Sequence, residues 1–147
     1  MQIMNGQSAT ARNNRMKIID WTPSFSVGDE RMDAQHRKII NLINDLIEAQ
    51  SSDELPDRLH QALYDMFEYS RGHLHDEEQL LRRIGYPDID QHLAAHEAYI
   101  ERMSLLSIAA TGDESVTSLE TIRFLREWWE NHILKEDMAY ARMLKNP

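Results

Sequence analysis

Seven side chains in this sequence have the types and spacings to hold metal: His36, His73 with Glu77, His92 with His96, and His132 with Asp137. Four residues of α-helix advance about 400°, so His73 and Glu77 project from one helical face roughly one turn apart, as do His92 and His96. One helix can therefore carry two ligands. Imidazole nitrogen with carboxylate oxygen, in a chain without cysteine, suits iron, manganese or zinc rather than copper(I) or an iron–sulfur cluster. A lone histidine is ordinarily a surface group or a satisfied core group, and two of the seven histidines read that way. His75 lies two residues from His73, about 200° around a helix, and His60 is distant from the other candidates. The remaining five fall on apolar stripes, where unpaired imidazoles and carboxylates are costly to bury. No lysine or arginine shares those faces to balance Glu77 and Asp137, and metal cations would supply the missing charge.

Phase separates Glu77 from Glu78, because Glu78 is rotated about 100° further from His73. Asp137 is the difficult member. Five residues from His132 amount to about 500°, which leaves it some 140° off the face of His132 on a regular helix. For both to face inward the helix must widen locally, and a π-bulge between His132 and Asp137 is the expected device.

The elements that must position these groups are amphipathic helices. The first is expected to start near Asp29 to Asp33 and run to about Gln50, burying His36, Ile39, Ile40, Ile43, Leu46 and Ile47. Ser52 or Asp53 is expected to cap a second helix with Pro56 in its first turn. Its inner face carries Leu59, Leu63, Met66, Phe67, Ser70, His73, Glu77, Leu80, Leu81 and Ile84, and Gly85 before Tyr86-Pro87 ends it. A third opens at Asp88, with Ile89, His92, His96, Tyr99, Met103 and Leu106 inward, and stops before Thr111. A fourth begins after Ser115 and carries Leu119, Ile122, Leu125, Trp129, His132 and Ile133 inward, reaching Leu144. Short joints predict an all-α, up-down-up-down antiparallel four-helix bundle. The histidines come early, late, early and late along the four helices, so alternating direction brings all of them to one end. Ahead of the bundle, residues 1–17 read as a flexible polar extension. Ile18 to Asp29, with Trp21 and Pro23, read as an ordered N-terminal arm, leaving 18–147 as the bundle domain.

Composition removes other classes. A net charge of −9 with no basic run argues against a nucleic-acid surface. No apolar stretch approaches the roughly 18 residues of a membrane helix, and no signal-peptide core opens the chain, so membrane insertion is not expected. The absence of cysteine fits a reducing, cytoplasmic setting, and the mixed charged faces fit a monomer. The Glu-x-x-His pairs of ferritin-like oxidases are absent, as is the His-Glu-x-x-His run of zinc hydrolases.

The combination Asp33-x-Gln35-His36, His73-x-x-x-Glu77-Glu78, Tyr86-Pro87, His92-x-x-x-His96, Trp128-x-x-x-His132-Ile133 and Asp137 closely resembles the hemerythrins. Its lead-in of Trp21 and Ser26-Val27-Gly28 is similar to the bacterial branch. The likeness runs from about Trp21 to Leu144. It implies a non-haem centre of two iron ions with a bridging oxo or hydroxo group, binding dioxygen reversibly as a carrier, store or supplier to an oxygen-consuming partner protein. Carried over, His92, His96 and His132 would ligate one iron and His36 and His73 the other, with Glu77 and Asp137 bridging. One iron then keeps an open position. The resemblance places Leu74, Trp128, Trp129 and Ile133 around the dioxygen pocket. Leu74 stands where an aromatic is usual and Trp129 where an aliphatic is usual. No catalytic residue and no enzymatic activity are expected. The alternatives are an oxygen or redox sensor module, or a di-iron peroxidase or nitric oxide handling enzyme.

Overall fold

A computed structural model describes residues 16–51, 56–109 and 114–146. Its first helix, α1 (Glu30–Ser51), starts where Asp29 Oδ1 accepts the Met32 amide at 2.9 Å, with Glu30 and Asp33 adding negative charge to the first turn. The apolar stripe predicted for it is buried throughout: Ile39, Ile40, Ile43, Leu46 and Ile47 alternate at three and four residues, and His36 shares their face.

Helix α2 (Pro56–Ile84) opens on proline, which has no amide to leave unpaired. The capping roles expected of Ser52 and Asp53 lie outside the described residues. Its far end is a Schellman turn: the Tyr86 amide reaches Leu81 O at 3.0 Å, the Gly85 amide reaches Arg82 O at 3.2 Å, and Gly85 adopts φ +65°. Helix α3 (Ile89–Ala109) follows after Asp88, whose carbonyl accepts the His92 amide at 3.2 Å.

The last helix is not one regular rod. It comprises α4 (Glu114–Asn131), a π-helical segment (His132–Asp137) and α5 (Met138–Lys145). The widened segment lies where the five-residue step from His132 to Asp137 required it. The four long helical rods form a four-helix bundle, and no strand occurs among the described residues.

The arm lies along α1. Asn44 clamps it with both ends of its amide, Oδ1 accepting the Ile19 N–H and Nδ2 donating to Ile19 O, each at 2.8 Å. Further down, Asp33 accepts the Ser26 hydroxyl at 2.6 Å and the Val27 amide at 2.8 Å. Trp21 is half-buried, stacked on Phe25 at 5.5 Å with the Arg37 guanidinium 4.6 Å above its ring. Of the extension expected over residues 1–17, only Met16 and Lys17 are described. Met16 packs on the core, and Lys17 O accepts Arg126 Nε at 2.6 Å.

Two apolar clusters fill the bundle. The larger joins Ile39, Ile43, Met66, Tyr99, Leu125, Trp129 and Ile133, among others, and the smaller joins Val27, Met32, Leu80, Leu81, Tyr86, Tyr140 and Ala141. On every rod the candidate ligands fall between residues of the first cluster and residues of the second. No helix of the described residues is long and apolar enough to cross a membrane.

Candidate metal centre

His36 on α1, His73 and Glu77 on α2, His92 and His96 on α3, and His132 and Asp137 on the π-helical segment meet in one buried layer. None of the seven is more than 3% exposed, so water cannot solvate their charge. His75, two residues from His73, is exposed as its phase requires. His60, read as a surface or satisfied core group, is half-buried on α2, with Nε2 sealed from solvent and lacking a hydrogen-bond partner.

The layer has two sides, and each carboxylate divides its oxygens between them. Glu77 Oε1 lies 2.8, 3.1 and 3.8 Å from the Nε2 atoms of His92, His96 and His132. Its Oε2 lies 3.4 and 3.5 Å from those of His36 and His73. Asp137 repeats the arrangement, with Oδ1 at 3.2 Å from His92 and 3.1 Å from His132, and Oδ2 at 3.2 Å from His36. Two overlapping sets of donor atoms, Glu77 with His92, His96 and His132, and His36 with His73 and Glu77, each lie within 4.8 Å of one another.

The layer is hydrogen-bonded in part, Glu77 Oε1 pairing with His92 Nε2 at 2.8 Å and His96 Nε2 at 3.1 Å, and the rest is left unpaired. His36 Nε2, His73 Nε2 and both Asp137 oxygens are buried without a hydrogen-bond partner. Oxygens stand 3.2 to 3.5 Å from the two nitrogens, but off the direction in which a ring N–H would donate. His96 Nε2 and His132 Nε2 face each other at 3.2 Å, where at most one can carry the intervening proton. The unpartnered nitrogens and oxygens, buried together out of reach of solvent, are what a bound metal ion would satisfy.

Electrostatics agree with a site built for positive charge. Burial alone would lower the pKa of His36 and His92, yet their contacts with Asp137 and Glu77 carry both up to about 9. Against the same burial penalty, the nearby charge of Asp137, 3.1 Å away, and then of Glu77 carries His132 up to about 10. Burial would raise Glu77 and Asp137, and the surrounding imidazoles hold both below the ordinary carboxylate range. His73 is lowered by burial.

The outer nitrogens have partners that the sequence pattern did not single out. His73 Nδ1 is 2.6 Å from Gln35 Oε1 and His96 Nδ1 is 2.9 Å from Glu78 Oε1. With Nδ1–H donating outward, each ring turns the Nε2 lone pair inward. Glu78 was set aside for its phase, and that phase is what lets it pass behind His96. Tyr140 is a further addition, its hydroxyl donating to Glu77 Oε2 at 2.8 Å. Burial, with Asp137 and Glu77 nearby, pushes its pKa well above the ordinary value, so it stays a donor. Its position on the inner face of α5, three residues past Asp137, was the available signal.

The four pocket candidates take different places. Leu74, Trp129 and Ile133 are buried, and the Trp129 ring lies 5.6 Å from that of His73. Leu74 also lines a cleft of about 290 Å³ with Glu78, His96 and Ile100. Trp128 is only half-buried and stacks on His132 at 4.3 Å with rings 13° from parallel, on the three-histidine side.

The family model described as the hemerythrin HHE cation binding domain matches residues 27–144. The chain is 30% identical over 130 residues to a bacteriohemerythrin of Stenotrophomonas maltophilia (strain R551-3), covering 88% of this chain and 84% of that one. It is 28% identical to a myohemerythrin of Theromyzon tessulatum, over 84% and 92% of the two chains. A wild-type hemerythrin crystal structure superposes with a TM-score of 0.78 at 27% identity, over 87% of this chain and 98% of that one. Fold, buried donor set and these likenesses agree, and the chain belongs to the hemerythrin HHE cation-binding family.

Proposed function

We propose that the chain holds two iron ions in this layer and binds dioxygen reversibly at one of them. The observation that carries the reading is the division of Glu77 and Asp137 between the two sides. Each carboxylate directs one oxygen toward the three-histidine side and the other toward the His36 and His73 side. In this reading His92, His96 and His132 hold one ion, His36 and His73 hold the other, and both carboxylates bridge.

Counting donors gives the asymmetry its function. Three histidines and two carboxylates offer five protein donors on one side, and two histidines with the same carboxylates offer four on the other. A shared oxo or hydroxo group would make six and five, and the position beside His36 and His73 would then be the one available to an exchangeable ligand. A pair of ferrous ions supplies two electrons that dioxygen can take and return. The chain's own residues keep that exchange clean: Trp129 covers His73, Ile133 and Leu74 keep the surroundings apolar, and Tyr140 holds Glu77 by its proton.

The test is anaerobic reduction followed by air, watched by visible absorption, on protein assayed to contain two irons per chain. A charge-transfer band that appears with oxygen and disappears on degassing is the expected result. One metal per chain, or irreversible bleaching with consumption of reductant, would overturn the carrier reading, the second in favour of an enzyme.

A further inference from the structure

We propose that Asp76, a half-buried residue whose side chain pairs with Gln35 and Arg31 rather than with the candidate ligands, is a positioning residue that sets the tautomer of His73 through the side-chain amide of Gln35. A glutamine amide has one accepting end and one donating end, and on geometry alone it fits its surroundings either way round. Gln35 sits between His73 Nδ1, 2.6 Å from Oε1, and Asp76 Oδ2, 2.8 Å from Nε2. Asp76 also receives the Arg31 guanidinium at 2.9 Å on that same oxygen. A carboxylate paired to arginine only accepts.

The amide therefore has to turn its NH₂ to Asp76 and its oxygen to His73. His73 must then carry its proton on Nδ1, and the inward Nε2 keeps its lone pair. Reversing the amide would aim N–H at Nδ1, move the proton to Nε2 and remove His73 as a ligand. Nothing else in the contacts of Gln35 distinguishes the two orientations. His96 needs no such device, because its partner Glu78 accepts with either oxygen. Asp76 is on α2 and Gln35 on α1, so the junction of these two helices decides whether the side with the open position is complete.

The inference rests on the two-iron reading, and its test separates the two. Full-length protein is prepared with iron, and in parallel free of metal, so that ¹⁵N NMR of labelled histidine is not broadened and no bound ion fixes the tautomer of His73. Asp76→Asn lets the position-76 amide pair with either orientation of Gln35. The expected result is a mixed tautomer pattern at His73 and faster loss to a chelator of one iron of the two, by about 10- to 100-fold. Gln35→Glu alone would set two carboxylates against each other at the 2.8 Å contact with Asp76, so it is introduced only together with Asp76→Asn. In the double variant Gln35→Glu/Asp76→Asn it accepts from both neighbours, and two irons should be held.

An Asp76→Asn protein with wild-type iron release and an unchanged His73 pattern overturns the proposal. Equal iron loss in the single and double variants also overturns it, by making Asp76 a plain structural contact. Should Asp76→Asn fail to fold, a folded double variant with two irons supports the proposal and an unfolded one refutes it. If the wild-type protein takes up no iron, the two-iron reading fails, and the nitrogen spectra still decide the tautomer.

Discussion

Each histidine in the layer is distinguished by what its second nitrogen meets. His73 meets a neutral amide and His96 a carboxylate, while both ring nitrogens of His36 are buried without a hydrogen-bond partner. A carboxylate behind an imidazole makes it a stronger donor and favours the higher charge on the metal in front. Glu78→Gln should therefore raise the reduction potential by tens of millivolts, where about 59 mV is a tenfold change for one electron. Spectroelectrochemical titration reads this directly, and a null or downward shift would show that Glu78 does not tune the ion held by His96. A coarser comparison checks the inward assignment itself. His92→Ala should leave about one iron per chain or fewer, whereas His75→Ala should match the wild type, and similar loss in both would contradict it. At this scale helical phase was enough to mark six of the seven candidates as inward, while Asp137 needed a local widening of the helix to join them. Gln35, Asp76 and Glu78 were not legible as their partners, since each works across a gap between helices and no single-helix periodicity encodes that reach.

Among the elements, the helix from Glu114 to Lys145 shows how a mismatch in spacing becomes structure. Asp137 could face the layer only if the ladder between it and His132 widened, and the π-helical segment spans those two residues. The bounds of α1 and the end of α2 were equally readable, from the Ile/Leu stripe in one and Gly85 before Tyr86-Pro87 in the other. Gly85 also offers a measurement free of packing effects. A Cβ built there meets nothing within 4 Å, and the φ of +65° remains, so Gly85→Ala isolates the left-handed backbone penalty. It should cost about 1–2 kcal/mol, read as a lower urea midpoint with an unchanged slope. A cost near zero would mean that α2 can end in another conformation. The arm was legible as ordered but not in its attachment: the clamp of Asn44 on Ile19 joins residues 25 apart through one side chain.

For the whole molecule, a layer made for cations and lying between two apolar clusters must hold protons when metal is absent. His36 and His92 at about 9 and His132 at about 10 stand above the ordinary 6.5 because Asp137 and Glu77 outweigh burial. Raised values mean that the metal-free fold binds more protons than the unfolded chain. The contribution of these histidines is complete below about pH 6.5, declines above it, and is gone once the pH has passed through 9 to 10. Glu77 and Asp137 carry the opposite sign: their lowered values stabilise the fold above the ordinary carboxylate range, and that is lost on acidification. Metal-free protein should therefore be most stable between roughly pH 5 and 7, with both flanks falling. The same protons oppose loading. His36, His92 and His132 must each give one up to bind metal, whereas His73, lowered by burial, is already neutral. Ferrous ion added anaerobically at pH 7 in weak buffer should release about three protons per chain from these imidazoles, and one more where a shared hydroxo group forms from water, and apparent affinity should climb steeply toward pH 9. Uptake with no proton release and no pH dependence between 6.5 and 9 would show that these imidazoles are neutral before metal arrives, and that the two carboxylates are balanced by something other than the histidines around them.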